Sequence, residues 1–264
     1  MLKLTHIDKC FFKGTANETA LYHDLNITIE QGQFVTVVGS NGSGKSTFFN
    51  IIAGSLQPDR GSILFGGRDI AHLAEHLRSK KIARVYQDPM KGTAPSLTIL
   101  ENLCMAYNKG KPFNLSKGVN PKLIELFRSE LANLELNLED KMNVKVGTLS
   151  GGQRQALSLL MATLVQPELL LLDEHTAALD PKTSELIINL TQRLVKEKKI
   201  TTIMVTHNLK QAIEVGNRLM MFHKGQVILD ISEEEKQQLS VLDLISKFNQ
   251  LNLTDELNDT LVFN

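Results

Sequence analysis

Residues 34–54 read FVTVVGSNGSGKSTFFNIIAG. The run FVTVV (34–38) is short, continuous and rich in β-branched residues, as expected of a buried central strand. FFNIIAG (48–54) has the apolar density of a helix that ends at Gly54 as its C-cap. Between them lie Gly39, Ser40, Asn41, Gly42, Ser43, Gly44, Lys45, Ser46 and Thr47, which satisfy G-x-x-x-x-G-K-[ST]. A strand before and a helix after is the setting in which that pattern binds phosphate. Glycines let the backbone curl so that successive N–H groups point at phosphate oxygens. The helix start adds unpaired N–H groups and its positive end. Lys45 can then reach the β- and γ-phosphates, and Ser46 can offer its hydroxyl to Mg²⁺. A plain glycine-rich connector is the bland alternative, and it requires none of these neighbours.

Outward from this loop, Leu25, Ile27 and Ile29 alternate with polar residues in strand fashion. Gln31-Gly32-Gln33 reads as a tight turn, and GSILFGG (61–67) as a short strand bounded by glycines. Residues 98–142 change to three- and four-residue apolar spacing, which would set Leu123, Leu126, Phe127 and Leu131 on one helical face. Lys109 to Asn120 reads as a loop. From Glu168 strands and helices alternate again: LLLLD (169–173), a helix from about Ser184, TTIMVTH (201–207), a helix from about Leu209 and RLMMFH (218–223). This alternation argues for an α/β protein with a parallel sheet. In the tail from Ser232, Leu242, Ile245 and Phe248 suggest an amphipathic helix packed on the body.

The bulk numbers exclude several classes. Apolar residues make up 42% of the 264 and charged residues 22%, so the chain can bury a core and is not disordered. Lys plus Arg and Asp plus Glu are 29 each, which leaves no basic footprint for nucleic acid. Cys10 and Cys104 make no disulfide framework. The start, MLKLTHIDKCFF, lacks the apolar core of a secretory signal. No apolar run approaches the ~20 residues that span a bilayer, so a membrane role must come through a partner.

LLLLDEHTAALD (169–180) drives two acids to the end of a greasy strand. In open α/β sheets ligands sit at the carboxyl ends of strands. Asp173 is thereby placed to hold Mg²⁺ through water, and Glu174 to polarise an attacking water as a general base. Two solvated carboxylates opening a turn is the alternative. LSGGQRQALSLLMA (149–162) is a second glycine-rich helix start suited to an anion. One chain cannot easily bring both anion sites to one nucleotide, whereas two copies can.

GSNGSGKST, VYQDP, LSGGQRQ, LLLLDEHTAALD and VTH stand in the order of an ATP-binding cassette (ABC) ATPase, and the sequence resembles that family over nearly its whole length. The resemblance implies a P-loop NTPase core with a mostly parallel sheet, an N-terminal antiparallel β subdomain and an inserted α-helical subdomain. It divides the single domain into a core (1–89 and 161–230), a helical part ending in the signature (90–160) and a C-terminal helical tail (231–264). It implies ATP and Mg²⁺ as ligands. Lys45, Gln87, Glu174 and His207 become the catalytic group, with His207 as the switch histidine on the γ-phosphate. Ser46, Gln87 and Asp173 become the metal-facing group. Phe11 resembles the aromatic that stacks on adenine, with Phe12 as its rival. Ser150, Gly151, Gly152 and Gln153 resemble the signature that caps the γ-phosphate held by another copy, and Asp180 resembles the D-loop aspartate.

The same resemblance implies an ATP-dependent homodimer, a separate membrane permease, a solute-binding protein, a place on the cytoplasmic face of the membrane and no nucleic-acid partner. An importer of a small solute fits best, amino acids and aromatic ones included. A soluble assembly or repair ATPase is the alternative, and a P-loop kinase is disfavoured by LSGGQ. His175 stands where most cassettes have proline. It would place a titratable ring near the dimer interface, or be a neutral variation in spelling.

Overall fold

The computed structural model describes residues 1–111 and 118–250, without the side chains of 248–250. Part of the loop expected between Lys109 and Asn120 lies outside the described residues. In chain order the elements are β1 (Leu2–Phe11), β2 (Thr19–Ile29), β3 (Phe34–Gly39), α1 (Lys45–Ala53), β4 (Arg60–Phe65), β5 (Arg68–Asp69) and α2 (Glu75–Arg78). Next come β6 (Ile82–Val85), α3 (Ile99–Tyr107), α4 (Ile124–Ala132), α5 (Gly151–Thr163), β7 (Leu169–Asp173) and α6 (Pro181–Lys198). The chain continues with β8 (Thr201–Val205), α7 (Leu209–Glu214), β9 (Arg218–His223), β10 (Gln226–Ile231), α8 (Glu233–Gln237) and α9 (Val241–Gln250). Two compact units result: 1–78 together with 201–250, and 79–200, among the described residues.

The first unit holds an antiparallel sheet of order β2-β1-β4-β5. Leu25, Ile27 and Ile29 bury their side chains on one face of β2, as their alternation requires. A second set has β3 parallel to both β8 and β9, with β10 antiparallel to β9. Every residue of β3 is buried, so its continuous apolar run is that of a central strand. Phe48 of α1 packs on Phe222 of β9 at a ring distance of 5.3 Å. The buried guanidinium of Arg78 donates to the carbonyls of Ile51 and Ile52, which the end of α1 leaves without helical partners.

The tail docks on this unit by a face that only partly matches the one expected. Leu244 is fully buried in a cluster with Val38, Leu209, Leu219 and Met221, with Val241 and Ile245 packed alongside. Leu242 is 77% exposed, and the side chain of Phe248 lies outside the described residues. Of the expected residues Ile245 packs on the body and Leu242 does not; Val241 and Leu244 complete the stripe. Lys236 of α8 buries its ammonium against the carbonyls of Val215 and Gly216. Burial lowers its pKa to about 8.

In the second unit β6 and β7 pair in parallel, and α5 packs among α3, α4 and α6. Leu169 to Leu172 are all fully buried. Phe127 and Leu131 of α4 bury as expected, but Leu126 is 42% exposed, so the buried stripe is narrower than its spacing suggested. Helix α6 begins at Pro181, three residues before the expected start. Asp180 caps it and Pro181 takes the first helical position, where a missing N–H is harmless.

Candidate functional site

In the first unit the loop between β3 and α1 is shaped by close approaches. A Cβ on Gly39 (φ +152) would lie 2.2 Å from the carbonyl oxygen of Phe222. A Cβ on Gly44 (φ +109) would lie 2.9 Å from the ring of Tyr22. Tyr22 is buried and its hydroxyl donates to the Gly44 carbonyl at 2.5 Å, so β2 pins the loop just where α1 begins. Burial raises the Tyr22 pKa far above the ordinary phenol value, which keeps the hydroxyl a donor. Nothing in the sequence singled out Tyr22, because one tyrosine in an alternating strand carries no signal beyond its burial.

The Lys45 ammonium is folded into the loop. It donates to the carbonyls of Gly39 (2.7 Å) and Ser40 (2.8 Å), and side-chain Oγ of Ser43 lies at 3.4 Å. An entering anion can exchange for these neutral acceptors, and a charge-assisted bond to phosphate is the stronger one. Asn41 and Gly42 are exposed in the same loop; in the first turn of α1 Ser46 is exposed and Thr47 half-buried. His207 follows β8 and is partly exposed, and Asn208 behind it caps α7. At the end of β1, Phe11 is half-buried with the Lys9 ammonium 5.7 Å from its ring centre. Phe12 has φ +54 and is 70% exposed.

The second unit carries the other motifs. Asp173 ends β7 and Glu174 follows in a left-handed conformation (φ +48). The Glu174 carbonyl accepts the N–H of Ala177 at 2.9 Å, which closes the turn that follows β7. Asp173 is paired with Arg84 of β6, Nη2 to Oδ2 at 2.5 Å. His175 does not stand at an exposed interface: it is 2% exposed, with Nε2 3.0 Å from Oγ1 of Thr191 on α6. A ring that replaces proline after an acid pair needs a partner inside the fold, and Thr191, sixteen residues on, was not legible as that partner.

Ser150 caps α5: its Oγ accepts the N–H of Gln153, and Oε1 of Gln153 accepts the N–H of Ser150, both at 3.3 Å. This fixes the helix start that the signature glycines expose. Gly151 has space, but a Cβ on Gly152 would meet Cγ2 of Thr183 at 2.3 Å. Gly152 thus lets the start of α5 lie close against the Thr183 side chain of α6. Asp180 accepts the Thr183 N–H at 3.1 Å, and hydrogen bonds from Thr183 lower its pKa. Gln87 lies exposed just past β6. Buried Gln155 of α5 donates to the Tyr86 carbonyl beside it at 3.3 Å, a link that sequence alone did not suggest.

Among the described residues no cluster of three His, Cys, Asp or Glu side chains is set to hold a metal. The Ser46 hydroxyl in the first unit, and the Gln87 amide and Asp173 carboxylate in the second, are each hard oxygen donors of the kind Mg²⁺ accepts. No described helix is long and apolar enough to cross a membrane.

A strand-borne phosphate loop with an inward lysine, an acid pair ending a buried strand and a capped glycine-rich helix start define a P-loop ATPase of the two-motif kind. The family model described as ABC transporter matches residues 22–177, and the chain belongs to that family. It is 48% identical over 248 residues to a tyrosine transport ATP-binding protein of Clostridioides difficile (strain R20291), covering 94% of this chain and 98% of that one. It is 32% identical over 225 residues to the xylose/arabinose import ATP-binding protein XylG of Sulfolobus acidocaldarius, covering 85% and 87%. Among solved structures it is similar to a dimeric post-hydrolysis state of the ATP-binding cassette MJ0796 bound to ADP and Pi. The TM-score there is 0.74 at 30% identity, covering 88% of this chain and 99% of the other. The chain is thus an ATP-hydrolysing ATP-binding subunit of an ABC transporter, with the α/β architecture and antiparallel N-terminal sheet expected from its motifs.

Proposed function

We propose that this subunit powers import of a small solute, with aromatic amino acids the leading class, through a separate membrane permease fed by a solute-binding protein. The observation that carries the substrate class is the 48% identity, end to end, to the tyrosine transport ATP-binding protein. The chain would work as an ATP-dependent pair of copies on the cytoplasmic face of the membrane. The helical part, about 90–160, would pass closure on to the permease, with exposed Gln87 and Met90 at its edge.

In this reading each ATP is held by the phosphate loop of one copy and by Ser150, Gly151, Gly152 and Gln153 of the other. Phe11 supports the adenine, because β1 holds its ring in place while Phe12 projects into solvent with little to fix it. Lys45 exchanges its loop carbonyls for β- and γ-phosphate oxygens. Ser46, Gln87 and Asp173 are the residues that would hold Mg²⁺, which when bound would offset phosphate charge. Glu174 takes a proton from the attacking water as that water bonds to the γ-phosphorus and the bond to the β-phosphate oxygen breaks. His207 donates to the γ-phosphate oxygens and Lys45 neutralises charge there. Asp180 orders the turn between the acids and α6. Loss of the bridging phosphate lets the pair open.

The test is uptake of labelled tyrosine, phenylalanine and leucine by cells that lack this gene. Restoration of aromatic uptake by the wild-type chain but not by Lys45→Ala supports the reading. Restored uptake of leucine alone, or of none of the three, contradicts the substrate class.

A further inference from the structure

We propose that Arg84 is a built-in counter-cation to Asp173 and weakens its hold on a divalent cation. Strands β6 and β7 run in parallel with Arg84 opposite Leu171. Side chains alternate between the faces of a strand, so Arg84 and Tyr86 share a face with Leu171 and Asp173. Nη2 of Arg84 lies 2.5 Å from Oδ2 of Asp173, and the two side chains are only 14% and 16% exposed. The Tyr86 ring lies against the guanidinium, 4.8 Å from its central carbon, and holds the fork in place. Little order is lost when this pair forms, and little water screens it.

The consequence is electrostatic. Asp173 is the carboxylate that the proposed function turns toward Mg²⁺, and this inference rests on that assignment. With Arg84 on Oδ2, part of its charge is offset before any metal arrives, and the guanidinium repels a second cation from short range. Divalent binding at Asp173 must therefore share or break the pair, and ATP phosphates must supply the difference. The subunit would charge with metal only once nucleotide is present. If Arg84 served only to stitch β6 to β7, its removal would lower stability and leave the metal requirement unchanged.

The experiment is thermal melting of the full chain in a non-hydrolysable ATP analogue, with Mg²⁺ titrated. The readout is the Mg²⁺ concentration that gives half the stabilisation. Arg84→Met and Arg84→Gln should both lower that midpoint roughly three- to tenfold, the size expected of a partly buried ion pair. Gln keeps a hydrogen-bond donor between the strands and covers the case in which Arg84→Met does not fold. Arg84→Lys keeps the charge but loses the stacked fork, so its midpoint should fall between those of wild type and Arg84→Gln. An unchanged or raised midpoint in Arg84→Gln overturns the proposal. Nucleotide stabilisation of the wild type that ignores Mg²⁺ overturns the assignment of Asp173 itself, and the proposal with it.

Discussion

Nε2 of His175 lies 3.0 Å from Oγ1 of Thr191, and both side chains are buried. The Thr191 hydroxyl gives its own proton to the Ile187 carbonyl at 2.7 Å, so its oxygen accepts from the ring. His175 is therefore the neutral Nε2–H tautomer, and burial lowers its pKa to about 4. The folded value lies below the unfolded one of about 6.5. The unfolded chain thus takes up a proton first as pH falls. The stability that His175 contributes is complete above about pH 6.5 and is lost as pH drops toward 4. The loss is on the order of 3 kcal/mol. Denaturant unfolding between pH 7.5 and 4.5 should show this slope in the wild type and a shallower one in His175→Leu. Thr191→Val should cost about 1–3 kcal/mol at pH 7.5, because it strands the ring N–H without an acceptor. Equal slopes in wild type and His175→Leu would remove the buried ring from the acid response.

Gly152→Ala places a methyl group 2.3 Å from Cγ2 of Thr183. The Thr183 side chain must then turn aside or the starts of α5 and α6 must shift, at a cost of about 1–3 kcal/mol. ATP-driven pairing of copies should weaken more than tenfold, since a displaced helix start no longer meets its phosphate. Thr183→Ala in the same chain removes the clash while leaving the backbone N–H that Asp180 caps. Recovery of most of the lost stability and pairing by the double variant is the expected result, measured by melting and by light scattering in ATP. A double variant no better than Gly152→Ala would place the fault elsewhere.

Tyr22→Phe deletes the hydroxyl that holds the Gly44 carbonyl and keeps the ring that fills the space beside Gly44. The expected cost is about 0.5–1.5 kcal/mol in unfolding, with a similar loss in ATP affinity, because the loop loses one fixed point. Calorimetric titration with ATP reads the second quantity. Lost stability with unchanged affinity would confine Tyr22 to the scaffold.

Much of the site was legible because its motifs combine backbone needs with chemistry. Gly39 and Gly44 occupy conformations and close approaches that exclude other residues, and Lys45 sits in the position the loop geometry demands. The four leucines of β7 foretold a buried strand, so the place of Asp173 at its end followed. What escaped were partners set by tertiary packing. Arg84 reads as an ordinary basic residue in a strand, and only the register of β6 on β7 brings it to Asp173. Thr191 lies mid-helix, and Gln155 one turn into α5, with no local mark of the His175 ring or the Tyr86 carbonyl they serve. The tail stripe was only partly legible: Ile245 packs as its spacing suggests, but Leu242 is an apolar side chain left in water, and Leu244 takes the core position.

The most direct measurement is ATP turnover and molecular mass of Glu174→Gln beside the wild type, with Mg²⁺ present. Glu174 heads a turn closed by its own carbonyl, and Gln keeps its shape while removing the base. The variant should bind ATP, persist as a pair of copies and turn over at least about 100-fold more slowly. Hydrolysis at the wild-type rate, or a chain that stays single in ATP, would contradict the central claim that two copies close on ATP and Glu174 activates the water.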